Sequence, residues 1–420
     1  MTVRDSALWN CQAHAPTALA KRLVIVEGDG AWLTSSTGQR LLDGTAGLWH
    51  ANIGHGREAV ARAAYEQMKR LETYHVFGRF ANEQALSLAD RLAALAPVAG
   101  SRVMFTSGGS DAIDLVCKLA RRHWQLEGRS EKTVIVSRER AYHGLHAFGT
   151  SIGGIPANRE GYGAESLVPD TARVDTHDLA AVRARIEEIG PERIAAVIAE
   201  PVIGTGGVHG PTPGYLSGLQ ALCLELDLLL VADEVITGFG RTGALFACER
   251  WDLRPDLLVF AKGVTSGYAA LGGVLAAPSV ADRFFAGPEA PWFRHGLTYA
   301  GHATACAVAH ANLDILEGEG LVARAAKLES VLSTVLEPLR THPAVAEVRC
   351  GFGFLAGVQL VPEVSAEAVA EATTSEGVIL RPLFENTLQI SPPFVATDDD
   401  LALIADTLSK ALDHTLAHAT

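Results

Sequence analysis

Short apolar runs alternate with amphipathic stretches through the middle of the chain. Arg102 to Thr106, Thr133 to Val136, Ile194 to Ile198, Leu228 to Ala232, Leu257 to Phe260 and Gly272 to Ala276 are each of strand length. Most lack the polar–apolar alternation of a strand with one wet face. They are therefore expected to be covered on both sides, as in a largely parallel sheet flanked by helices. That is the α/β layer arrangement, in which ligands sit beyond the carboxyl ends of the strands. The two ends of the chain read differently. Leu23 to Leu33 and Gln39 to Leu42 predict a small meander, with turns at Gly28-Asp29-Gly30 and Thr37-Gly38. Ala303 to Leu316 and Leu321 to Leu336 predict long helices, the second followed by Pro338 as a stop. Val345 to Leu360 predicts strands broken by glycines.

Two of the central runs end in an ionisable residue. Leu228-Leu-Leu-Val-Ala leads into Asp233, and Leu257-Leu-Val-Phe-Ala leads into Lys262. An Asp and a Lys at the ends of two buried strands are what pyridoxal phosphate chemistry needs. The amine binds the cofactor's aldehyde covalently, and the carboxylate keeps the pyridine nitrogen protonated so that the ring can accept electrons. A third motif, Phe105-Thr-Ser-Gly108-Gly109-Ser110-Asp111, follows a strand and precedes a helix-like run with Ile113, Val116 and Leu119 on one face. A turn of this kind at a helix N-terminus offers free backbone N–H groups to a phosphate dianion. Alone it is an ordinary helix start; beside Asp233 and Lys262 it gains weight.

From about Gly28 to about Pro393 these motifs together resemble the class III aminotransferases, the omega-transaminase family of fold type I pyridoxal enzymes. The resemblance implies a large domain with a mostly parallel sheet and a smaller α/β domain built from both termini. In this chain that gives a small domain of residues 1–56 and 303–420 around a large cofactor-binding domain of residues 57–302. It implies that Gly108, Gly109 and Ser110 hold the phosphate. The family's usual Ser-Gly-Ser-Glu is altered here, with Gly108 at the first Ser and Asp111 in place of Glu, so Ser110 and backbone amides carry more of the contact. Tyr142, in Ala141-Tyr-His143-Gly144, is implied to stack on the cofactor ring and line the pocket, with His143 beside it. Val235 is implied to pack on the ring face and Glu200 to support the loop near Asp233. Thr298, in His295-Gly-Leu-Thr-Tyr-Ala-Gly-His302, is implied to reach the phosphate of a neighbouring subunit. Arg381, in Val378-Ile-Leu-Arg-Pro, is implied to fork onto the carboxylate of a keto acid. Trp49, Phe77 and Tyr142 resemble the aromatic wall of amine:pyruvate and omega-amino acid:pyruvate enzymes, with Thr205 on the smaller side of the pocket.

The resemblance thus implies a transfer of an amino group from an amine or omega-amino acid to a keto acid, pyruvate first, in a homodimer or larger homo-oligomer with shared active sites. Ornithine- or acetylornithine-type aminotransferases and an aminomutase are the alternatives, and a non-catalytic pyridoxal phosphate-binding protein is a reading of another class. Retention of Lys262, Asp233 and Arg381 together argues against the last.

Composition narrows little further. The 420 residues are 48% hydrophobic and 20% charged, ordinary for a globular enzyme. A formal charge of −13 without a long basic run argues against a nucleic-acid partner. Six cysteines without C-x-x-C spacing fit idle thiols in a reducing cytoplasm better than zinc or disulfides. The first residues hold no apolar core of leader length, and no run is long enough to span a membrane. His295 and His302 have no third ligand at metal spacing. Gly238-Phe-Gly240-Arg-Thr-Gly243 satisfies G-x-G-x-x-G, but Asp233-Glu234 already occupies the strand end and no clean helix follows, so a dinucleotide site is not expected.

Overall fold

The computed structural model describes residues 6–419. The expectation for the first five residues and the last position of the expected C-terminal segment fall outside that range. The N-terminal meander is present as β1 (Ile25–Asp29), β2 (Trp32–Ser35) and β3 (Arg40–Asp43). Its first turn lies slightly later than the glycine pattern predicts. Asp29 still pairs with Trp32, and Gly30, at φ +56°, makes the bend with Ala31.

The central sheet comprises β4 (Arg102–Thr106), β5 (Val134–Arg138), β6 (Thr171–Val174), β7 (Ile194–Ala199), β8 (Leu229–Asp233), β9 (Leu257–Phe260) and β10 (Gly272–Ala276). Their order is β4-β10-β9-β8-β7-β5-β6. All pairings are parallel except those of β10, which runs antiparallel to both β4 and β9. Residues of β5 and of β7 to β10 are buried throughout. Alternate side chains feed two different cores: Leu230, Ala232, Leu258 and Phe260 join one, while Leu229, Val231, Leu257 and Val259 join the other. Burial on both faces is why these strands read as continuous apolar runs.

The helix Gly109–Leu126 covers one face with Ile113, Val116, Leu119 and Trp124. The helices Ala303–Gly318 and Leu321–Leu336 follow as long elements, the first packed on Glu58–Arg70 and Glu83–Leu95. The C-terminal part adds β11 (Val345–Arg349), β12 (Ala356–Leu360), β13 (Val378–Ile379), β14 (Arg381–Leu383) and β15 (Thr387–Ile390). One four-stranded sheet has the order β11-β12-β15-β14, and the other is β1-β2-β3-β13. In the second, β13 pairs with β3 and ties the end of the chain to its beginning. Among the described residues no helix is long and apolar enough to cross a membrane.

Candidate active site

Because β4, β5, β7, β8 and β9 run the same way, their carboxyl ends lie along one edge of the sheet. The segments that leave them surround a cavity of about 400 Å³. From β4 comes Ser107 to Ser110, from β5 comes Tyr142 to Gly144, and from β7 comes Glu200. Asp233 ends β8, and Lys262 follows β9. Val235 also lines the cavity.

Asp233 is held from two sides. The Val235 N–H donates to its Oδ1 at 3.0 Å, and His143 Nδ1 lies 2.7 Å from its Oδ2. Both partners of the second contact are buried, and His143 Nε2 is buried without a hydrogen-bond partner. Glu200 is buried as well. It accepts from the Tyr142 N–H and the Gly204 N–H, each at 3.0 Å, and so fixes two loops at once. Burial raises its pKa, with Asp233 adding to the rise, against the pull of His143 and the two N–H donors.

Lys262 sits at φ +43°, an unfavourable angle for a side chain with a Cβ. The turn this makes after Ala261 brings its side chain to the cavity. No group among the described residues hydrogen-bonds its Nζ. Burial lowers its pKa to about 8, although Asp233 and Glu200 oppose the shift; Arg381 adds to it. An amine so placed is part neutral near physiological pH, as a nucleophile and base must be.

The phosphate-binding geometry is at the other wall. Gly108 caps the 18-residue helix Gly109–Leu126, leaving the helix's first N–H groups directed at the cavity. A Cβ at Gly108 would meet nothing, whereas one at Gly109 would press on Val235 at 3.1 Å. Gly144, at φ +80°, could carry no side chain, since its Cβ would lie 2.2 Å from Ser110 Oγ. These residues fit pyridoxal phosphate: an anion site, a fixed carboxylate, an orphaned imidazole nitrogen and an unpartnered amine share one cavity.

The remaining expected residues stand apart from the cavity wall. Arg381, on β14, is half-buried. Burial lowers its pKa, against the opposing effect of Tyr142, and no carboxylate among the described residues pairs with it. Trp49 is 1% exposed and packs with Val202, Val208, Ile236 and Leu355. Of these Ile236 lines the cavity, so the indole lies behind the wall. Thr205 is half-buried in the turn after Ile203. Phe77 is 47% exposed, beside Gly296, and Thr298 is exposed on the same loop. The G-x-G-x-x-G glycines serve packing: a Cβ would strike Phe394 at Gly240 and Ala326 at Gly243.

Several lining residues were given no role from the sequence: His50 and Ile236, each inside a recognised motif, and Thr265, Gly267, Ala269, Ala270 and Leu271 beyond Lys262. His50 stood next to a recognised position, Trp49. It belongs to a loop with Ala46 at φ +48°, Gly47 at +63° and Trp49 at +67°. Such angles at the two non-glycine residues cost of order 1–3 kcal/mol each and persist only where the surroundings dictate them. Here Asp43 dictates them. It accepts from the Thr45 N–H at 3.1 Å, the Thr45 hydroxyl at 2.9 Å and the Gly47 N–H at 2.8 Å, and it pairs with His55 at 2.9 Å. Among the described residues no group of three or more His, Cys, Asp and Glu side chains could hold a metal ion.

Comparison with known proteins agrees with this geometry. A family model described as aminotransferase class-III matches residues 13–412. A putrescine–pyruvate aminotransferase of Pseudomonas aeruginosa is 34% identical over 423 residues, 94% of this chain and 91% of that protein. A transaminase from the marine bacterium Virgibacillus superposes with a TM-score of 0.94 at 35% identity, over 99% of this chain and 98% of its own. An amine transaminase from an uncultivated Pseudomonas species, in its pyridoxal phosphate-bound form, gives 0.92 at 36% identity, over 98% and 99%.

Proposed function

The chain belongs to the class III aminotransferases, and from that premise we propose that it transfers an amino group from an amine or omega-amino acid to pyruvate. The observation that carries the reading is the meeting of Lys262 and Asp233 at neighbouring strand ends, facing one cavity across from a helix N-terminus. Bound pyridoxal phosphate supplies an aldehyde that captures the amine and a ring that accepts electrons. The chain supplies the rest. Gly108, Gly109 and Ser110, with Ser107, hold the phosphate. Asp233, kept rigid by His143 and Val235, holds the proton on the ring nitrogen. Val235 and Tyr142 fix the plane of the ring and keep water off it. Lys262 Nζ would act as base and then acid, moving a proton from the substrate carbon to the cofactor carbon in the first half of the cycle and in the opposite direction in the second. Glu200 keeps the Tyr142 and Gly204 loops in place.

Arg381 receives the keto acid's carboxylate; the support is a half-buried guanidinium with no acidic partner among the described residues. Trp49, through Ile236, and Thr205 shape the pocket. Phe77 and Thr298 act in a homodimer, each completing the site of the second copy. Their support is exposure, since both lie at the surface beside Gly296, off the cavity of their own chain. Pyruvate rests on the similarity to the putrescine–pyruvate aminotransferase of Pseudomonas aeruginosa. The small domain is read as residues 1–56 with 303–420 around residues 57–302, supported by the pairing of β13 with β3. A cytoplasmic setting is read from six unpaired cysteines.

Borohydride reduction of the yellow holoenzyme, followed by peptide mapping, tests the central assignment. The label should fall on Lys262, and addition of an amine should bleach the colour until pyruvate restores it. A label on another lysine would overturn the site. Sedimentation with and without cofactor tests the shared assembly, and a fully active monomer would refute it.

A further inference from the structure

Most polar groups lining the cavity have a task. Lys262, Asp233, His143 and Glu200 are committed as described, Ser107 and Ser110 belong to the phosphate turn, and the Thr265 hydroxyl donates to the Ala269 carbonyl at 2.6 Å. His50 is left over. Its orientation is set by its surroundings. The Leu48 N–H donates to His50 Nδ1 at 3.2 Å, so Nδ1 carries a lone pair and the ring proton of the neutral form is on Nε2. The edge bearing Nε2 lies between two glycines. A Cβ at Gly47 would stand 2.5 Å from Cε1, and one at Gly267 would stand 2.3 Å from Cδ2. Gly267 itself lines the cavity. Nε2 has no hydrogen-bond partner among the described residues and, unlike His143 Nε2, is not sealed from solvent. The clamp of Asp43 on the strained 45–49 turn holds this arrangement in place. Burial lowers the imidazole pKa, with Asp43 opposed and His55, Lys262 and Arg241 acting in the same direction as burial, which favours the neutral ring.

We propose that His50 selects the amine donor, offering its Nε2–H to an oxygen acceptor on the donor's chain. Amines carrying a hydroxyl or carbonyl oxygen are then favoured over plain alkyl amines and over diamines, whose second ammonium has no lone pair to accept with. For Nε2 to accept from an ammonium, the ring proton would have to move to Nδ1, and the bond from Leu48 would be lost. The inference rests on the aminotransferase reading of the cavity and deepens it.

The test is single-turnover bleaching of the holoenzyme by three four-carbon amines: butylamine, aminobutanol and butanediamine. A carboxylate is avoided because Arg381 would compete for it. The wild type should use aminobutanol about three- to tenfold better than butylamine in kcat/KM, the worth of one neutral hydrogen bond, with the difference in KM. Butanediamine should be poorer than aminobutanol by at least as much. In His50→Phe the aminobutanol-to-butylamine ratio should fall to near one. In His50→Gln, whose amide can still donate from that position, much of the ratio should return. No preference in the wild type, a ratio unchanged in His50→Phe, or Gln no better than Phe would each overturn the proposal while leaving the aminotransferase intact. A holoenzyme bleached by none of the three amines would overturn the proposal, and one that an omega-amino acid also fails to bleach would overturn the aminotransferase reading as well.

Discussion

Two lysines lie at opposite ends of the central sheet, and burial lowers both to a pKa of about 8. Lys132, just before β5, is 1% exposed. Its ammonium donates to the Asp227 carbonyl at 2.7 Å and the Pro191 carbonyl at 3.3 Å, and it stands 4.2 Å above the Trp124 ring. Lys262, beyond β9, faces a cavity and donates to nothing described. The same depressed pKa therefore accompanies a structural tie at one end and a reactive amine at the other. A perturbed pKa marks a buried cation; the missing partner and the adjoining cavity mark the chemistry. The neighbouring acids Asp233 and Glu234 divide in the same way. Asp233 faces the cavity. Glu234 turns inward, where it accepts from the N–H groups of Ala247 and Cys248 at 2.9 and 2.7 Å and from the Thr237 hydroxyl.

The strongest challenge to this contrast is to remove each lysine in turn. Lys262→Ala should lower kcat by about ten-thousandfold, the upper range for loss of a general base, with cofactor still bound non-covalently. Lys132→Met should leave kcat close to the wild-type value but lose about 1–3 kcal/mol of stability, because two carbonyls lose their buried donor. Steady-state rates and denaturant titrations on both variants decide it, and a reversed pattern would break the contrast.

The acids come next. Asp233→Asn should slow single-turnover proton transfer by roughly a hundred- to a thousandfold while the fold persists. Glu234→Gln should keep that rate and lose about 1–3 kcal/mol in unfolding instead. A normal single-turnover rate in Asp233→Asn would remove it as the ring's partner.

Arg381→Ala should raise KM for pyruvate roughly ten- to hundredfold, the worth of a charged hydrogen-bonded pair, and leave KM for a carboxylate-free amine far less changed. Equal changes for both substrates would give Arg381 a structural role.

The pH effect is the smallest. With both lysine values lowered from 10.5 to about 8, the unfolded chain binds more protons than the folded apoenzyme between those values. Apoenzyme stability should therefore rise with pH across the window from about 8 to 10.5, the penalty of the buried cations being fully present below it. Lys132→Met should flatten the rise in part, and cofactor bound to Lys262 should flatten the remainder. Unfolding midpoints at the two ends of the window, with and without cofactor, measure both shares.

The strands were legible because two-sided burial writes itself as an unbroken apolar run, and Asp233 and Lys262 were legible because each ends such a run. The helix Leu321–Leu336 has the bounds its pattern predicts, and the preceding helix runs on to Gly318. Direction was not legible. Gly272 to Ala276 is as apolar as its neighbours, and nothing in its composition tells that it runs against them. Nor was the two-residue pairing of β13 with β3, which joins distant parts of the chain. The burial of the Trp49 ring depends on a backbone angle that a tryptophan does not advertise, and the cavity role of His50 depends on that same turn.

The reversed strand also fixes an order of events during synthesis. Among the described residues, strand β4, which delivers the phosphate turn, has no partner in the sheet except β10. Thr106 pairs with Gly272, more than a third of the chain later. A Cβ at Gly272 would stand 2.9 Å from the Gly108 carbonyl, so the turn rests on bare backbone that the ribosome has not yet made when β4 emerges. Loop closure over that span is slow compared with local helix formation. The helix Gly109–Leu126 can form early, but its anion-binding end acquires its final shape only after β10 slides between β4 and β9. A nascent chain that ends between Lys262 and Gly272 carries the carboxylate and the amine but lacks the strand that completes the phosphate seat, so cofactor capture should wait for β10.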